Sequence, residues 1–574
     1  MAEVTAQLRP GRTAVAVRVD TSSTGSGETG LLGVLEFATA DAVRHVRTCR
    51  TWKTTGSEPA GDWSGPDFDD SAWAAADEWA PWGMAPRGAV APASSPAFQL
   101  RREFHLPAKR IVRARLYATA LGLYEAHLNG RRVGADELAP GWTDYRKRVQ
   151  YQTYDVTDLL RGGSANTLGF HLGDGWYAGA IASFGRHHYG ERPSVLAQLE
   201  VTYTDGSTER IVSDHAWRAA AGPLVSADLI GGEDYDARRE TDGWTQPGFD
   251  DSGWQPAEPA AVTTPPAIVA QADAPVRVAG ELPARQVTEV APGVFVFDLG
   301  QNMVGSVRLK VCGPAGTVVR LRHAEALNPD GTLHTASLRS ARATDTYTLR
   351  GGSVEVHEPR FTFHGFRYVE VTGYPGVPPL DAVTGRVMHT SAPFTMEFET
   401  DVPMLNRLHS NITWGQRGNF LSVPTDTPAR DERLGWSGDI GVFAPTAAYV
   451  MGSARFLTKW LRDLYDAQRA DGAFPDVAPQ IGMLGAGTAG WGDAGVSVPW
   501  ALYEAYGDIR VLEEAWEHWD SVREDGGFQD AGMNSFNHYA YGAVGTWMYA
   551  TIAGIAPAAP ASGAWSSAPA PAVR

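Results

Sequence analysis

The 574-residue sequence contains only two cysteines, Cys49 and Cys312. They are far apart in the chain, so they form neither a metal-binding spacing nor a disulfide framework. The sequence contains no run of about 18 apolar residues, which a membrane-spanning helix would need. The stretch 1–8 has no basic segment followed by an apolar one, so no signal peptide is predicted and a cytoplasmic location is expected.

Basic residues are also scarce, with 49 Lys and Arg against 66 Asp and Glu, a formal net charge of −17 and a pI near 5.4. This balance argues against nucleic acid and against an anionic membrane surface as partners. Tryptophan is abundant instead, with 19 residues. Indole rings suit flat apolar ligands such as sugar faces, although most tryptophans are expected in the core.

The length predicts about three to four domains. Short alternating strands separated by turn residues predict an all-β sandwich first, and a second β block follows it. In that second block, 294–299 and 307–311 are predicted as two strands. Near residue 395 the apolar period changes from two to 3.6, which indicates helices. The predicted divisions are an unassigned, linker-like 1–50, a β-sandwich over 51–260, a Pro-rich and Ala-rich linker over 260–285, a second β domain over 286–395, a helical domain over 396–556 and a disordered tail over 557–574.

Six helices are predicted after residue 400. The first begins at Pro403 and carries Leu405, Leu408 and Ile412 on one face. Asp439 is expected to cap the second, which runs to about residue 451. Ser453 is expected to cap the third, and 495–506, 508–516 and 534–552 are further helical segments. The third has an apolar stripe formed by Phe456, Leu457, Trp460, Leu461, Leu464 and Tyr465.

The loop 424–439 is the most informative stretch of the chain. It combines four carboxylates (Asp426, Asp431, Glu432 and Asp439) with two arginines and Trp436. Glycoside hydrolysis needs closely spaced carboxyl groups, because one of them must stay protonated to assist the leaving oxygen. Charged loops are common on protein surfaces, so a solvated loop ending in an Asp cap is the alternative interpretation.

Two further clusters lie in the helical region. Trp491 stands in a Gly-rich loop, and Glu517 lies between Trp516 and Trp519. An Asn-rich and His-rich stretch that includes His538 follows. Each cluster alone fits a structural role. Together with Glu432 they could supply the second carboxylate, the aromatic walls and the donors of one sugar-binding site.

The chain resembles the bacterial α-L-rhamnosidases of glycoside hydrolase family 78 over about residues 50–556. Three stretches carry the resemblance: 113–179, which includes Gly173-Asp-Gly-Trp176-Tyr-Ala-Gly; Phe297-Asp-Leu-Gly-Gln-Asn302 with His364-Gly-Phe-Arg367-Tyr; and Asp426-Thr-Pro-Ala-Arg430-Asp431-Glu432-Arg433-Leu-Gly-Trp436-Ser-Gly-Asp439. The resemblance implies jelly-roll-like and concanavalin-like β-sandwich domains followed by an (α/α)6-toroid catalytic domain.

The resemblance also implies roles for individual residues. Glu432 would be the general acid and Glu517 the general base of a single-displacement, inverting reaction on terminal α-L-rhamnose. The two carboxyl groups would then lie roughly 6.5–9.5 Å apart. The implied substrate-binding residues are Asp426, Arg430, Trp436, Asp439, Trp491 and His538.

One departure from the family concerns the toroid. Twelve helices need well over 200 residues at the usual helix lengths, and 396–556 is shorter. The family's long helical segment between its Trp-Gly-Asp and Trp-Glu-x-Trp-Asp motifs is reduced here to the short stretch from Trp491 to Trp516, with a join near 511–515. We therefore expect a partial toroid, and the family's C-terminal β domain is expected to be missing after residue 557.

The alternative function is a non-catalytic carbohydrate-binding remnant, inactive because part of the barrel is missing. A purely structural scaffold is disfavoured because it would not need both carboxylate clusters. No cofactor and no catalytic metal are predicted, since no His, Asp or Glu cluster has ligand spacing. The Asp-rich β loops could hold a structural calcium ion, but no spacing specifies one. The expected partner is a rhamnose-containing glycoside, and no feature predicts the oligomeric state.

Overall fold

The computed structural model describes residues 98–258, 260 and 265–519, together with short stretches at 34–38, 43–47, 53–54, 71 and 74–75. The chain divides into two compact units, Met1–Ala93 with Ser183–Arg186 and Ser94–Ala182 with His187–Arg574. The described strands of the first unit form two antiparallel pairs: β1 (Val34–Ala38) with β2 (Val43–Arg47), and β3 (Lys53–Thr54) with β4 (Ala74–Ala75).

The second unit contains three large sheets of six, five and ten strands, and most of its helices follow them in the chain. Its strands as far as residue 270 are β5 (Phe98–His105), β6 (Ile111–Leu121), β7 (Leu123–Leu128), β8 (Arg131–Arg132), β9 (Arg148–Asp155), β10 (Ala165–Gly173), β11 (Ser194–Tyr203), β12 (Thr208–Val212), β13 (Arg218–Ala221), β14 (Leu224–Asp228), β15 (Gly232–Asp236), β16 (Gln255–Pro256) and β17 (Ala267–Ala270). The later strands are β18 (Val276–Pro283), β19 (Gln286–Ala291), β20 (Val294–Val311), β21 (Val318–Ala324), β22 (Thr344–Thr348), β23 (Glu355–His357), β24 (His364–Thr372), β25 (Val383–Thr390), β26 (Phe420–Leu421) and β27 (Val423–Pro424). The helices are α1 (Gly175–Ala178), α2 (Pro403–Asn419), α3 (Ser437–Val450), α4 (Ala454–Asp466), α5 (Ala494–Tyr506) and α6 (Arg510–Trp519).

Two sheets form the predicted β-sandwich. One has the strand order β16-β13-β5-β10-β7-β8 and the other β12-β11-β6-β9-β17. In β11 buried and partly exposed residues alternate, as the period of two requires, whereas β10 is buried along almost its whole length. Leu116 of β6 pairs with Leu199 of β11, and both belong to one buried core with Phe170 of β10 and Trp217. Apolar residues of both sheets share this core, which is the physical basis of the sandwich.

The second β domain is built on one ten-stranded sheet, with the main order β14-β15-β22-β21-β24-β20-β25-β18. The two strands predicted at 294–299 and 307–311 are one strand, β20. Its pairing with β24 shifts register between Asp298 and Met303, so β20 bends there without ending.

The predicted linker over 260–285 is wrong over 267–270 and 276–283, which are strands. β17 pairs in parallel with β9 of the sandwich, and β18 pairs antiparallel with β25 of the large sheet. The stretch therefore supplies an edge strand to each sheet. Its Pro and Ala content indicated a loop, but edge strands tolerate such residues because one side of their backbone needs no partner.

The helical part follows most of the sequence-based predictions. α2 begins at Pro403, and α5 ends at Gly507, which adopts the left-handed conformation. The apolar stripe predicted for α4 is buried except for Tyr465, which is partly exposed. On α2, in contrast, Leu405 and Leu408 are about half exposed, whereas Gln416 and Gly418 near its C-terminal end are buried.

The prediction of an Asp439 cap is wrong. α3 begins two residues earlier, because the Ser437 hydroxyl and amide bond to the Asp476 carbonyl and fix that residue as the first of the helix. Asp439 lies in the first turn, where a carboxylate is favoured by the helix dipole. The helix predicted over 534–552 lies outside the described residues.

Within the described part of the chain, no helix combines the length and apolarity that crossing a bilayer requires. The cytoplasmic location stays a prediction.

Candidate active site

The loop between β27 and α3, residues 425–436, is closed by reciprocal contacts and is called the acidic loop below. The Asp426 amide donates to the Leu434 carbonyl, and the Leu434 amide donates to Asp426 Oδ1, both at 2.9 Å. These two contacts join the ends of the loop. Three of the four carboxylates predicted to act together, Asp426, Asp431 and Glu432, are therefore held in one compact turn, and Asp439 follows in the first turn of α3.

Arg433 fixes the acidic loop to the large sheet. Its side chain is buried and its φ is +58°, an uncommon conformation for a residue with a Cβ. The guanidinium donates to the carbonyls of Leu229, Phe363 (2.6 Å) and Ala429 (2.9 Å). Burial lowers the pKa of Arg433 to about 10. Sequence reasoning assigned Arg433 no role, because its partners are backbone carbonyls that the sequence pattern does not reveal.

Glu432, the predicted general acid, is surrounded by hydrogen-bond donors. Its Oε2 accepts from Arg430 Nε at 2.8 Å and from Arg339 Nη1 at 3.1 Å, and its Oε1 accepts from Trp436 Nε1 at 3.2 Å. The Glu432 side chain is 18% exposed. The carboxyl is therefore oriented by three contacts and still reaches solvent.

Asp426 has a strongly perturbed pKa. Burial, and then the negative charge of Glu432, raise the pKa of Asp426 to about 7. Arg430 Nη2 lies 3.8 Å from its Oδ2, which is too far for a hydrogen bond. Within the described part of the chain, Oδ2 has no hydrogen-bond partner although it is buried. Such an oxygen is suited to bind a hydroxyl group of a ligand.

Asp439 and Trp491 complete the cluster. Burial, and then the charge of Glu432, also raise the pKa of Asp439. Trp491 lies against Gly438 of α3: a Cβ on this glycine would come within 2.9 Å of the indole ring. Trp491 is 37% exposed, so one side of its ring remains available. The structure thus brings together six of the eight predicted site residues: Asp426, Arg430, Glu432, Trp436, Asp439 and Trp491.

The other two predicted residues cannot be placed in the same way. Glu517 lies in α6, but its side chain lies outside the described residues, and so does the whole of His538. α6 is held to the rest of the helical domain by Trp519, whose Nε1 donates to the Gly495 carbonyl at 2.7 Å. The separation of the two catalytic carboxyl groups stays a prediction.

Two groups of histidines and carboxylates lie elsewhere in the described chain. In the first, Glu125 forms ion pairs with Arg132 (3.2 Å) and Arg360 (3.4 Å), so its oxygens are already in use. In the second, the rings of His323 and His364 are stacked, with centroids 4.2 Å apart and planes 19° apart. In each group the candidate ligand atoms lie within 4.8 Å of one another. The carboxylate of the second group, Asp345, has its Oδ1 3.0 Å from His364 Nε2, so contacts within the protein already engage the carboxylates of both groups.

The sequence analysis also missed two contacts from the large sheet. Arg339 and Ser340 lie between β21 and β22 and reach Glu432 and Asp431, more than 90 residues away along the chain. The acidic loop carries no sequence signal for partners at such a distance.

Three family descriptions match successive parts of the chain. The α-L-rhamnosidase N-terminal domain matches residues 109–280, and the bacterial α-L-rhamnosidase concanavalin-like domain matches 288–389. The bacterial α-L-rhamnosidase six-hairpin glycosidase domain matches in two segments, 393–518 and 514–552. These segments meet where the sequence analysis places the join in the shortened toroid.

The individual proteins to which the chain is similar are also α-L-rhamnosidases. An α-L-rhamnosidase of Streptomyces avermitilis is 69% identical over 497 residues, which are 87% of this chain and 48% of that protein. A crystal structure of the Streptomyces avermitilis α-L-rhamnosidase complexed with L-rhamnose aligns with a TM-score of 0.74 and 69% identity, covering 85% of this chain and 47% of that one. An Aspergillus terreus α-L-rhamnosidase structure aligns with a TM-score of 0.72 and 43% identity, covering 78% and 53%.

The chain spans about half the length of the curated relatives that it matches. Its β-sandwich, concanavalin-like domain and helical six-hairpin segment follow one another in the order of the three matching descriptions. The acidic loop lies at the start of the helical segment and contacts the second β domain. The chain belongs to the bacterial α-L-rhamnosidase family.

Proposed function

We propose that this protein hydrolyses terminal, non-reducing α-L-rhamnose residues from rhamnosides by an inverting acid–base mechanism. The observation that carries the proposal is the grouping of Glu432 with Asp426, Asp439 and two indole rings at one partly exposed surface. Such a site combines a positioned carboxyl with hydrogen-bond acceptors and aromatic platforms, which glycoside hydrolysis uses. The family's relatives support the rhamnose substrate.

In this mechanism each group has a distinct task. Glu432, when protonated, donates its proton to the glycosidic oxygen as the bond to the sugar breaks. Glu517 takes a proton from water, which attacks the anomeric carbon from the opposite face. Asp426 and Asp439 accept hydrogen bonds from rhamnose hydroxyls, and Trp436 and Trp491 flank the ring. A general acid or base of this kind contributes about 10²–10⁴-fold to the rate.

The experiment is release of nitrophenol from an aryl α-L-rhamnoside by the purified chain. Glu432→Gln and Glu517→Gln are each expected to lower kcat by about 10²–10⁴-fold. Glu513→Gln is the matched control, since Glu513 is exposed one turn earlier on the helix of Glu517. NMR of the first-formed sugar should show β-L-rhamnose, which a retaining reaction would not produce. Full activity in both glutamine variants would contradict the proposal.

A second candidate is a rhamnose-binding protein without turnover. The observation in its favour is apolar exposure on the helices, with Met404 of α2 79% exposed and Trp516 of α6 69% exposed. In a closed toroid, neighbouring helices would cover such side chains. Calorimetric titration with L-rhamnose separates the two candidates, because binding without nitrophenol release would support only the second. If the protein neither binds L-rhamnose nor releases nitrophenol, both candidates are refuted.

A further inference from the structure

A loop of the large sheet reaches the acidic loop. Ser340 donates to Asp431 Oδ2 through its amide, at 3.1 Å, and through its hydroxyl. Next to it, Arg339 Nη1 lies 3.1 Å from Glu432 Oε2 and 3.8 Å from Asp431 Oδ1. Two successive residues of the β domain thus contact two successive carboxylates of the acidic loop.

This loop, which connects β21 to β22 and is called the β-domain loop below, is held in place by the packing of its apolar side chains. Leu338, Ala341 and Ala343 form a small buried cluster with Ile230 and with Ala429 of the acidic loop. Arg339 itself has a φ of +55°, and a non-glycine residue keeps this conformation only where its surroundings enforce it. Arg339 therefore extends from a fixed backbone.

Arg339 and Arg430 contact the same oxygen of Glu432 from different parts of the chain. Arg430 belongs to the acidic loop, whereas Arg339 comes from the β domain. The Arg339 side chain is 49% exposed and Glu432 is 18% exposed, so the Arg339 guanidinium covers the carboxyl toward solvent. A substrate that enters from solvent meets this guanidinium beside Glu432 Oε2.

We propose that Arg339 is a positioning residue for Glu432, through which the second β domain completes the acid side of the active site. The inference rests on the proposed hydrolase function. Arg339 and Arg430 together fix the orientation of Glu432 Oε2. Ser340 fixes the backbone next to Arg339 through its hydrogen bonds to Asp431. A reacting group displaced by about 1 Å can lose about 10²-fold in rate.

Arg339 also affects the charge around Glu432. The charged groups that face this carboxyl come from three elements: the acidic loop (Asp426, Arg430 and Asp431), α3 (Asp439) and the β-domain loop (Arg339). Without Arg339, Arg430 is the cation among the described residues that still contacts Glu432, while the three aspartates stay. A carboxyl that loses a neighbouring cation keeps its proton to higher pH. The basic limb of the pH–rate profile should therefore move to higher pH.

The test compares Arg339→Gln, Arg339→Lys and Arg342→Gln in the full chain. Arg342 is a matched control because it lies on the same loop, is 47% exposed and pairs with Asp234 instead. Arg339→Gln should lower kcat about 10- to 100-fold, with KM within about threefold, and should move the basic limb upward. Arg339→Lys should keep most of the wild-type kcat and most of the wild-type position of the basic limb. Arg342→Gln should behave like the wild type. A wild-type kcat, or an unmoved basic limb, in Arg339→Gln overturns the proposal.

A second measurement does not depend on turnover. Water-soluble carbodiimide activates protonated carboxyl groups, and peptide mass spectrometry gives the labelling rate at Glu432. At pH 6, Arg339→Gln should label Glu432 at least threefold faster than the wild type, and Arg342→Gln at the wild-type rate. An unchanged rate in Arg339→Gln overturns the proposal whatever the activity. If the wild type releases no nitrophenol but the labelling differs, the hydrolase function fails and the contact of Arg339 with Glu432 is upheld.

Discussion

Replacing Asp426 with asparagine should stabilise the protein at neutral and alkaline pH while it abolishes function. The Asp426 side chain is 7% exposed, and its pKa is raised to about 7 by burial and by Glu432. Between pH 4 and 7 the folded protein therefore keeps a proton that the unfolded chain has lost. The contribution of Asp426 to stability is favourable at acid pH and is lost as the pH rises.

The magnitude follows from the two pKa values. The ordinary value of Asp426 is 3.8 and the value in the fold is about 7. Each pH unit of difference corresponds to about 1.36 kcal/mol, so the ionised carboxylate costs about 4 kcal/mol above pH 7. Asparagine keeps the oxygen that accepts from the Leu434 amide and cannot ionise. Asp426→Asn should therefore match the wild type at pH 4 and exceed it by about 4 kcal/mol at pH 8.

Thermal unfolding followed by circular dichroism of the helices, at pH 4 and pH 8, measures this difference. A gain of about 4 kcal/mol should raise the midpoint by roughly 8–16 °C in a domain of this size. Asp476→Asn is the control, because Asp476 is also mostly buried but accepts hydrogen bonds from the Thr488 amide (3.2 Å) and hydroxyl (2.7 Å). The reasoning is refuted if Asp426→Asn and wild type show the same midpoint difference between the two pH values.

Two further predictions concern packing. Lys459 is buried 2.8 Å from Asp463 and also bonds to the Ser422 carbonyl, so Lys459→Met should cost about 1–3 kcal/mol by leaving these acceptors without a donor. Asp463 keeps its ion pair with Arg148 at 2.8 Å. In urea unfolding, the double variant with Asp463→Leu should recover most of this loss, and no recovery would contradict the argument. Gly438→Ala should displace the Trp491 ring and weaken L-rhamnose binding about three- to tenfold in calorimetry. Gly415→Ala, whose Cβ would meet open space, should leave binding unchanged.

The sequence by itself determined the features that depend on neighbours along the chain. Strand alternation, helix periodicity and capping residues are local, so the start of α2 at Pro403 and the end of α5 at Gly507 could be predicted. The composition of the acidic loop likewise indicated a carboxylate site, because its groups lie within a few residues of one another. The family resemblance added roles to these residues.

The tertiary structure decided everything that depends on distant partners. It made an edge strand of 267–270 by pairing it with β9, against a composition that indicated a linker. It also bonded Arg433 to backbone carbonyls and brought Arg339 to Glu432 from 93 residues away. Such contacts depend on how the sheets and helices pack in space, and they cannot be predicted from the spacing of residues along the chain. The acidic loop could therefore be recognised from the sequence, whereas the groups that orient it required the fold.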